Sequence, residues 1–226
     1  LERIGPWPWS RDRLALLLEA IAEARPAVVA LDMLLAGEDT RSPRALARQL
    51  AGATDDAGVT AAATSLAGQL PDADQRLATA LARVPSVLGL VLDPDGSHDA
   101  PGSAPVLFKG NPKLSDLWHA GGTLGPLRLL ADAAAGHGAL LLPGDADASI
   151  RRVPLLVATP EGLRAGLAAE TARVSLGAAS YLLGGNPVTL AAGPLRLTLG
   201  PEGMLRLRPV SPERHAARAI PAAGIL

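Results

Sequence analysis

Two aspartates, Asp32 and Asp93, each close a short apolar run: Ala27-Val28-Val29-Ala30-Leu31 before the first, Val87-Leu88-Gly89-Leu90-Val91-Leu92 before the second. Such runs read as buried parallel strands. Ligands of open α/β sheets bind outside the carboxyl ends of their strands. Two carboxylates there could hold a cation or meet a cationic ligand; each could instead accept from local backbone N–H groups and cap a loop. Asp145, Asp147 and Ser149 have the alternating spacing of a calcium loop, but Ile150 stands where the tight-turn glycine belongs and Leu156 where the bidentate glutamate belongs. A turn stapled by Arg151 or Arg152 suits that segment better. The Arg151-Arg152 pair could also bind an anion, or divide into one arginine bonded to a loop and one in solvent.

No catalytic constellation accompanies these residues. His98, His119, His137 and His215 are scattered and form no metal-binding pair. The chain has no GxSxG elbow, no GxGxxG and no GxxxxGK[ST] phosphate loop. Gly184-Gly185 is expected to end a helix rather than open one, so it makes no anion nest. The absence of cysteine excludes disulfides, thiol catalysis and thiolate zinc sites, and leaves the compartment open. No cofactor is called for.

The elements that would position these groups follow from the apolar spacing. Gly5-Pro6-Trp7-Pro8-Trp9 cannot be regular helix. Ser10 reads as the N-cap of an amphipathic helix carrying Leu14, Leu17, Leu18 and Ile21 and ending near Arg25-Pro26. Ser42-Pro43 opens a helix to about Leu50; residues 51–69 are either a second short helix or a loop. Asp72 caps another helix. Residues 94–125 read as loop-rich, residues 126–135 as a helix, and Gly138–Leu142 and Arg152–Thr159 as strands. A long helix is expected over Arg164–Leu183, then a hairpin of Leu195, Leu197 and Leu199 against Leu205 and Leu207 around Pro201-Glu202-Gly203. The class is α/β: a mixed, partly parallel β-sheet flanked by helices, with an antiparallel C-terminal hairpin. If a pocket exists, it is expected at the strand ends around Asp32, with Trp7, Trp9 and Arg11 lining or covering it. The tryptophans could equally pack the N-terminal segment onto the first helix.

Composition narrows the function classes. The 226 residues suit one large domain or two small ones, and the formal net charge of −1, without a basic run, argues against nucleic acid. No apolar run reaches 18 residues. The chain starts at Leu1 in mid-pattern and reads as a piece of something longer.

The string as a whole resembles the type-2 CHASE domain, a sensing module associated with bacterial cyclases and histidine kinases. Gly5-Pro6-Trp7-Pro8-Trp9-Ser10-Arg11 is similar to the family's G-x-W-P-W-x-R opening, and Ala30-Leu31-Asp32-Met33-Leu34-Leu35 to its D-x-L-F strand, with Leu35 where Phe is usual. Thr40-Arg41-Ser42-Pro43 and Leu70-Pro71-Asp72-Ala73-Asp74 match the flanks of a helical insertion. Ala134-Ala135-Gly136-His137-Gly138 resembles the A-x-G-H strand start. Residues 145–155 resemble D-x-D-G-x-x-R-R-x-P-L, with Ala148 in place of Gly.

The resemblance implies a single sensory domain over residues 1–226, with an insertion at about 40–71 and a further first strand upstream of Leu1. It implies a membrane anchor before the chain and transmembrane helices after it, with residues 220–226 a strand-and-helix exit towards the membrane. A cyclase, histidine kinase, Ser/Thr kinase or diguanylate cyclase would be the output. The domain would lie in the periplasm or outside the cell, dimerise, and respond to a small molecule or envelope cue by conformational shift. Asp32, Trp7, Trp9, Arg11, Arg151 and Arg152 are the ligand-site candidates. Two other readings stay open: a small metal-dependent enzyme fragment using Asp32, Asp93 and a histidine, and a purely structural receptor ectodomain.

Overall fold

The computed structural model describes residues 5–93, 98–99, 101–140, 147, 149–208 and 210–226. Helix α1 (Arg11–Glu23) starts at Ser10, whose extended backbone accepts the first helical bonds although its hydroxyl caps nothing. Leu14 and Leu18, one turn apart, are buried on one face of α1 with Ala15. Strand β1 (Val29–Leu34) follows, with a register shift between Leu31 and Leu34.

Helices α2 (Pro43–Gly52) and α3 (Ala57–Gln69) pack on each other. Residues 51–69 thus hold a helix, not a loop. Its start is fixed by Asp56, whose carboxylate accepts from Gly58 N at 2.8 Å and Val59 N at 3.0 Å. Ser42 and Asp72 cap α2 and α4 (Ala73–Leu81) in the same way. Strand β2 (Ser86–Asp93) is buried over most of its length.

The segment expected to be loop-rich carries short strands: β3 (His98–Asp99), β4 (Val106–Lys109), β5 (Trp118–His119) and β6 (Gly122–Leu124). After α5 (Arg128–Ala133) comes β7 (Gly136–Ala139); residues 141–142 of the expected strand lie outside the described residues. The expected fourth strand is two, β8 (Arg152–Pro154) and β9 (Leu156–Thr159), which pair with different partners on either side of Leu155.

The long helix expected over 164–183 is instead strand β10 (Gly162–Ala165), helix α6 (Leu167–Ser175) and strand β11 (Tyr181–Gly184). Gly166 packs so tightly on the Pro154 carbonyl that a Cβ would overlap it, and Gly177, at φ +61, takes the left-handed turn that stops α6. Strands β12 (Thr189–Ala192) and β13 (Leu195–Thr198) form the antiparallel C-terminal hairpin. Its two-residue turn has Gly193 at φ +55, as a twist-matched turn requires. Strand β14 (Met204–Arg206) does not complete a hairpin across Pro201-Glu202-Gly203; it pairs antiparallel with β8. Helix α7 (Pro212–Ala216) buries nothing, and residues 220–226 form no strand.

Strands β1 and β7 flank β2, both parallel to it, while β6 pairs antiparallel with the end of β2 and carries β3. A core of Leu14, Leu18, Leu77, Leu81, Leu88 and Leu130 lies between this sheet and α1, α4 and α5. A second core, with Leu155, Leu156, Tyr181, Leu183 and Leu190, joins the β10-β9-β5 and β13-β12-β11-β4 sheets to α6. Leu90, Leu92, Ala139 and Val157 form a third, smaller core with Trp118 and Ala120 packed against it. Each fully buried leucine contributes about 1.5–3 kcal/mol to holding these layers together.

Candidate functional site

The N-terminal segment brings three of the six candidate residues together. Trp7 and Trp9 meet edge to face, with centroids 5.5 Å apart and planes at 73°. The Trp9 indole donates to Gly5 O at 3.1 Å and its ring packs on the first core, whereas Trp7 is exposed. Both tryptophans and Arg11 line a cleft of about 280 Å³ with Leu34, Asp39 and Arg41. Asp32 lies outside that cleft, on the exposed side of the β1 irregularity, so the expected grouping around Asp32 does not form.

Arg11 is buried and committed to the chain itself. It forms an ion pair with Asp74 and donates to Leu35 O at 3.1 Å and Gly37 O at 2.7 Å. The other Asp74 oxygen accepts from Asp39 N at 3.1 Å. This network ties α1 and α4 to the loop after β1, with Arg11 held at the wall of the cleft.

Arg151 forms a forked pair with Asp147, both bonds 2.8 Å, and Asp147 also accepts from Ser149 N at 3.1 Å. The guanidinium holds the Asp147 carboxyl down at about 2. The segment is thus an arginine-stapled turn; Asp145 lies outside the described residues. Arg152 stands on β8, exposed and opposite Arg206. Asp93 is half-buried at the end of β2, opposite Gly122. Among the described residues no three His, Cys, Asp or Glu side chains are grouped to hold a metal.

Two charged clusters escaped the sequence reading. Glu170, 2 % exposed, accepts from Arg173 at 2.6 and 3.0 Å and from the Tyr181 hydroxyl at 2.7 Å. Burial, then the Glu170 charge, pushes the Tyr181 hydroxyl far up, and the same carboxylate raises Arg173. Gly136 of β7 lies against this carboxylate, where a Cβ would collide with it. Its neighbour His137 bonds Ala131 O through Nε2 at 3.1 Å, and burial lowers its pKa. The second cluster is Arg164, 5 % exposed, on β10. It lines a cleft of about 650 Å³ between residues 102–114 and the β9–β10 hairpin. A charged residue inside an expected helix gave no sign that it would be buried on a strand.

A family model for the CHASE2 domain matches residues 1–226, the whole chain. The chain belongs to the CHASE2 domain family. CHASE2 domains are sensory and extracytoplasmic. No curated protein and no solved structure matches this chain. In this CHASE2 domain the motif residues have structural roles: Arg11 of the opening joins Asp74 of the insertion flank, Gly136 makes room for Glu170, and Arg151 closes a turn on Asp147. No helix among the described residues is long and apolar enough to cross a membrane.

Proposed function

We propose that this CHASE2 domain is the sensing part of a bacterial inner-membrane receptor whose output is a cytoplasmic cyclase or kinase. The observation that carries the reading is the family match over residues 1–226. The ion pairs Arg11–Asp74, Arg151–Asp147 and Arg173–Glu170 support it, because these charged groups are engaged within the chain rather than poised for catalysis. A cue that binds one arrangement of the domain better shifts the population towards it, and the flanking segments carry that shift across the membrane. The outer side of β1, which pairs with β2 alone among the described residues, is where a strand upstream of Leu1 would add. We further propose that the receptor works as a homodimer.

The test replaces residues 1–226 in the full-length receptor with an inert folded domain and measures output in membranes. A sensing role predicts that the cyclase or kinase stays active and loses its response to envelope conditions. An unchanged response would refute it, as would turnover of simple hydrolase substrates by the isolated domain that vanishes on single Asp or His substitutions.

A further inference from the structure

The cleft beside Arg164 has a composition that the structural roles above do not explain. At about 650 Å³ it falls within the range of small-molecule pockets. Ala104, Val106, Phe108, Leu114 and Leu163 give it an apolar wall, and Phe108 on the edge strand β4 is 51 % exposed. Arg164 supplies the cation. One guanidinium nitrogen donates to Pro101 O and to Ser103 Oγ, the latter at 3.0 Å. The other stands 4.0 Å from Glu161 Oε2, too far for a hydrogen bond, and that oxygen already accepts from Thr159 Oγ1 at 2.8 Å. Arg164 Nε is buried and has no hydrogen-bond partner among the described residues. A buried guanidinium is costly unless its charge and its N–H groups are met. Here they are met in part, at the wall of a cleft that is mostly apolar and carries Ser103, Thr159 and Glu161 as its other polar residues.

We infer that this cleft binds a small organic carboxylate with an apolar body, its carboxylate on Arg164 and its hydrocarbon or ring against Phe108, Leu114 and Leu163. A planar carboxylate matches the guanidinium fork. Glu161, also in the cleft wall, disfavours a doubly charged phosphate. The inference rests on the sensory reading and adds the ligand class to it.

Phenylacetate is a suitable probe, with phenylacetamide as its uncharged counterpart and phenyl phosphate as the dianion. Binding to the purified domain is measured by calorimetry and by thermal shift. Phenylacetate is expected to bind saturably, and the other two about 10- to 100-fold more weakly, as a charge-assisted bond is worth. Arg164→Gln is expected to lose the same factor. Gly102→Trp is the second variant: Gly102 lines the cleft and a Cβ there meets open space, so the bulk is added without displacing a packed neighbour. It is expected to abolish binding while the melting temperature of the free domain holds. Equal binding of phenylacetate and phenylacetamide, undiminished binding by Gly102→Trp, or no binding of phenylacetate would overturn the inference. The domain-replacement experiment separates the two readings: a receptor that loses its response while its domain ignores phenylacetate keeps its sensory role and loses this ligand class.

Discussion

The Tyr181 hydroxyl, from strand β11, donates to Glu170 Oε2 on helix α6 at 2.7 Å, and both side chains are 2 % exposed. With Arg173 on the other side of the carboxylate, the charge of Glu170 is fully met inside the second core.

Breaking this cluster is expected to be graded. Tyr181→Phe removes one donor and leaves the ion pair, at a cost of about 1–2 kcal/mol. Glu170→Leu strands Arg173 as a buried cation, at a cost of about 3–5 kcal/mol. Urea denaturation monitored by circular dichroism ranks the two; an equal cost for both would show that the ion pair contributes nothing beyond the hydroxyl bond.

The Arg11–Asp74 pair offers a double-mutant cycle. Arg11→Met alone leaves Asp74 as a buried carboxylate and is expected to cost about 3–5 kcal/mol. Adding Asp74→Leu is expected to recover part of that loss, because the second change removes the stranded charge. Strictly additive losses would count against the pairing of these residues across α1 and α4.

Glycine substitutions are expected to split by site. A Cβ at Gly138 would overlap the backbone of Leu167, so Gly138→Ala is expected to destabilise by about 1–3 kcal/mol. A Cβ at Gly68 meets nothing within 4 Å, and Gly68→Ala in α3 is expected to stabilise by up to about 1 kcal/mol. Thermal melts of the two variants should move in opposite directions.

Acidification tests His137. Burial holds its folded pKa below the unfolded 6.5. As pH falls through 6.5 the unfolded chain takes up a proton that the folded chain refuses, so stability drops until the folded pKa is passed. Asp147, held at about 2 against 3.8 when unfolded, acts lower: its contribution is present above 3.8 and is lost towards 2. His137→Gln should flatten the stability profile just below 6.5 and leave the limb below 3.8 unchanged. A slope below 6.5 that survives His137→Gln would assign it to another group.

Local chemistry made part of this fold legible. Ser42 and Asp72 act through N–H groups two or three residues away, and those caps fix α2 and α4; the Asp56 cap of α3 works the same way but was not read from the sequence. The apolar runs at β1 and β2 marked parallel strands, β2 buried over most of its length and β1 at the sheet edge with Ala30 and Asp32 exposed. The failure at residues 164–183 has a tertiary cause. Ala and Leu there fit a helical period, and the break at Gly166 depends on the Pro154 carbonyl, which only the folded chain brings near. The site residues follow the same rule. Arg11 meets a carboxylate 63 residues away, and Arg164 meets Pro101 at the same separation. Spacing in a single sequence carries no trace of such pairings.

Gly138 brings the backbone of β7 directly onto the backbone of Gly166 and Leu167 at the start of α6, while Gly136 gives room to the Glu170 side chain. Side-chain layers yield by rotamer changes; a backbone pressed on a backbone does not. The joint between the two cores is therefore stiff. Arg164, at the cleft wall, precedes Gly166 by two residues, and Gly166 bridges directly to Ala139 of β7. The wall of the cleft and the parallel sheet thus share one backbone seam, at which Gly138 and Gly166 leave no room for a side chain.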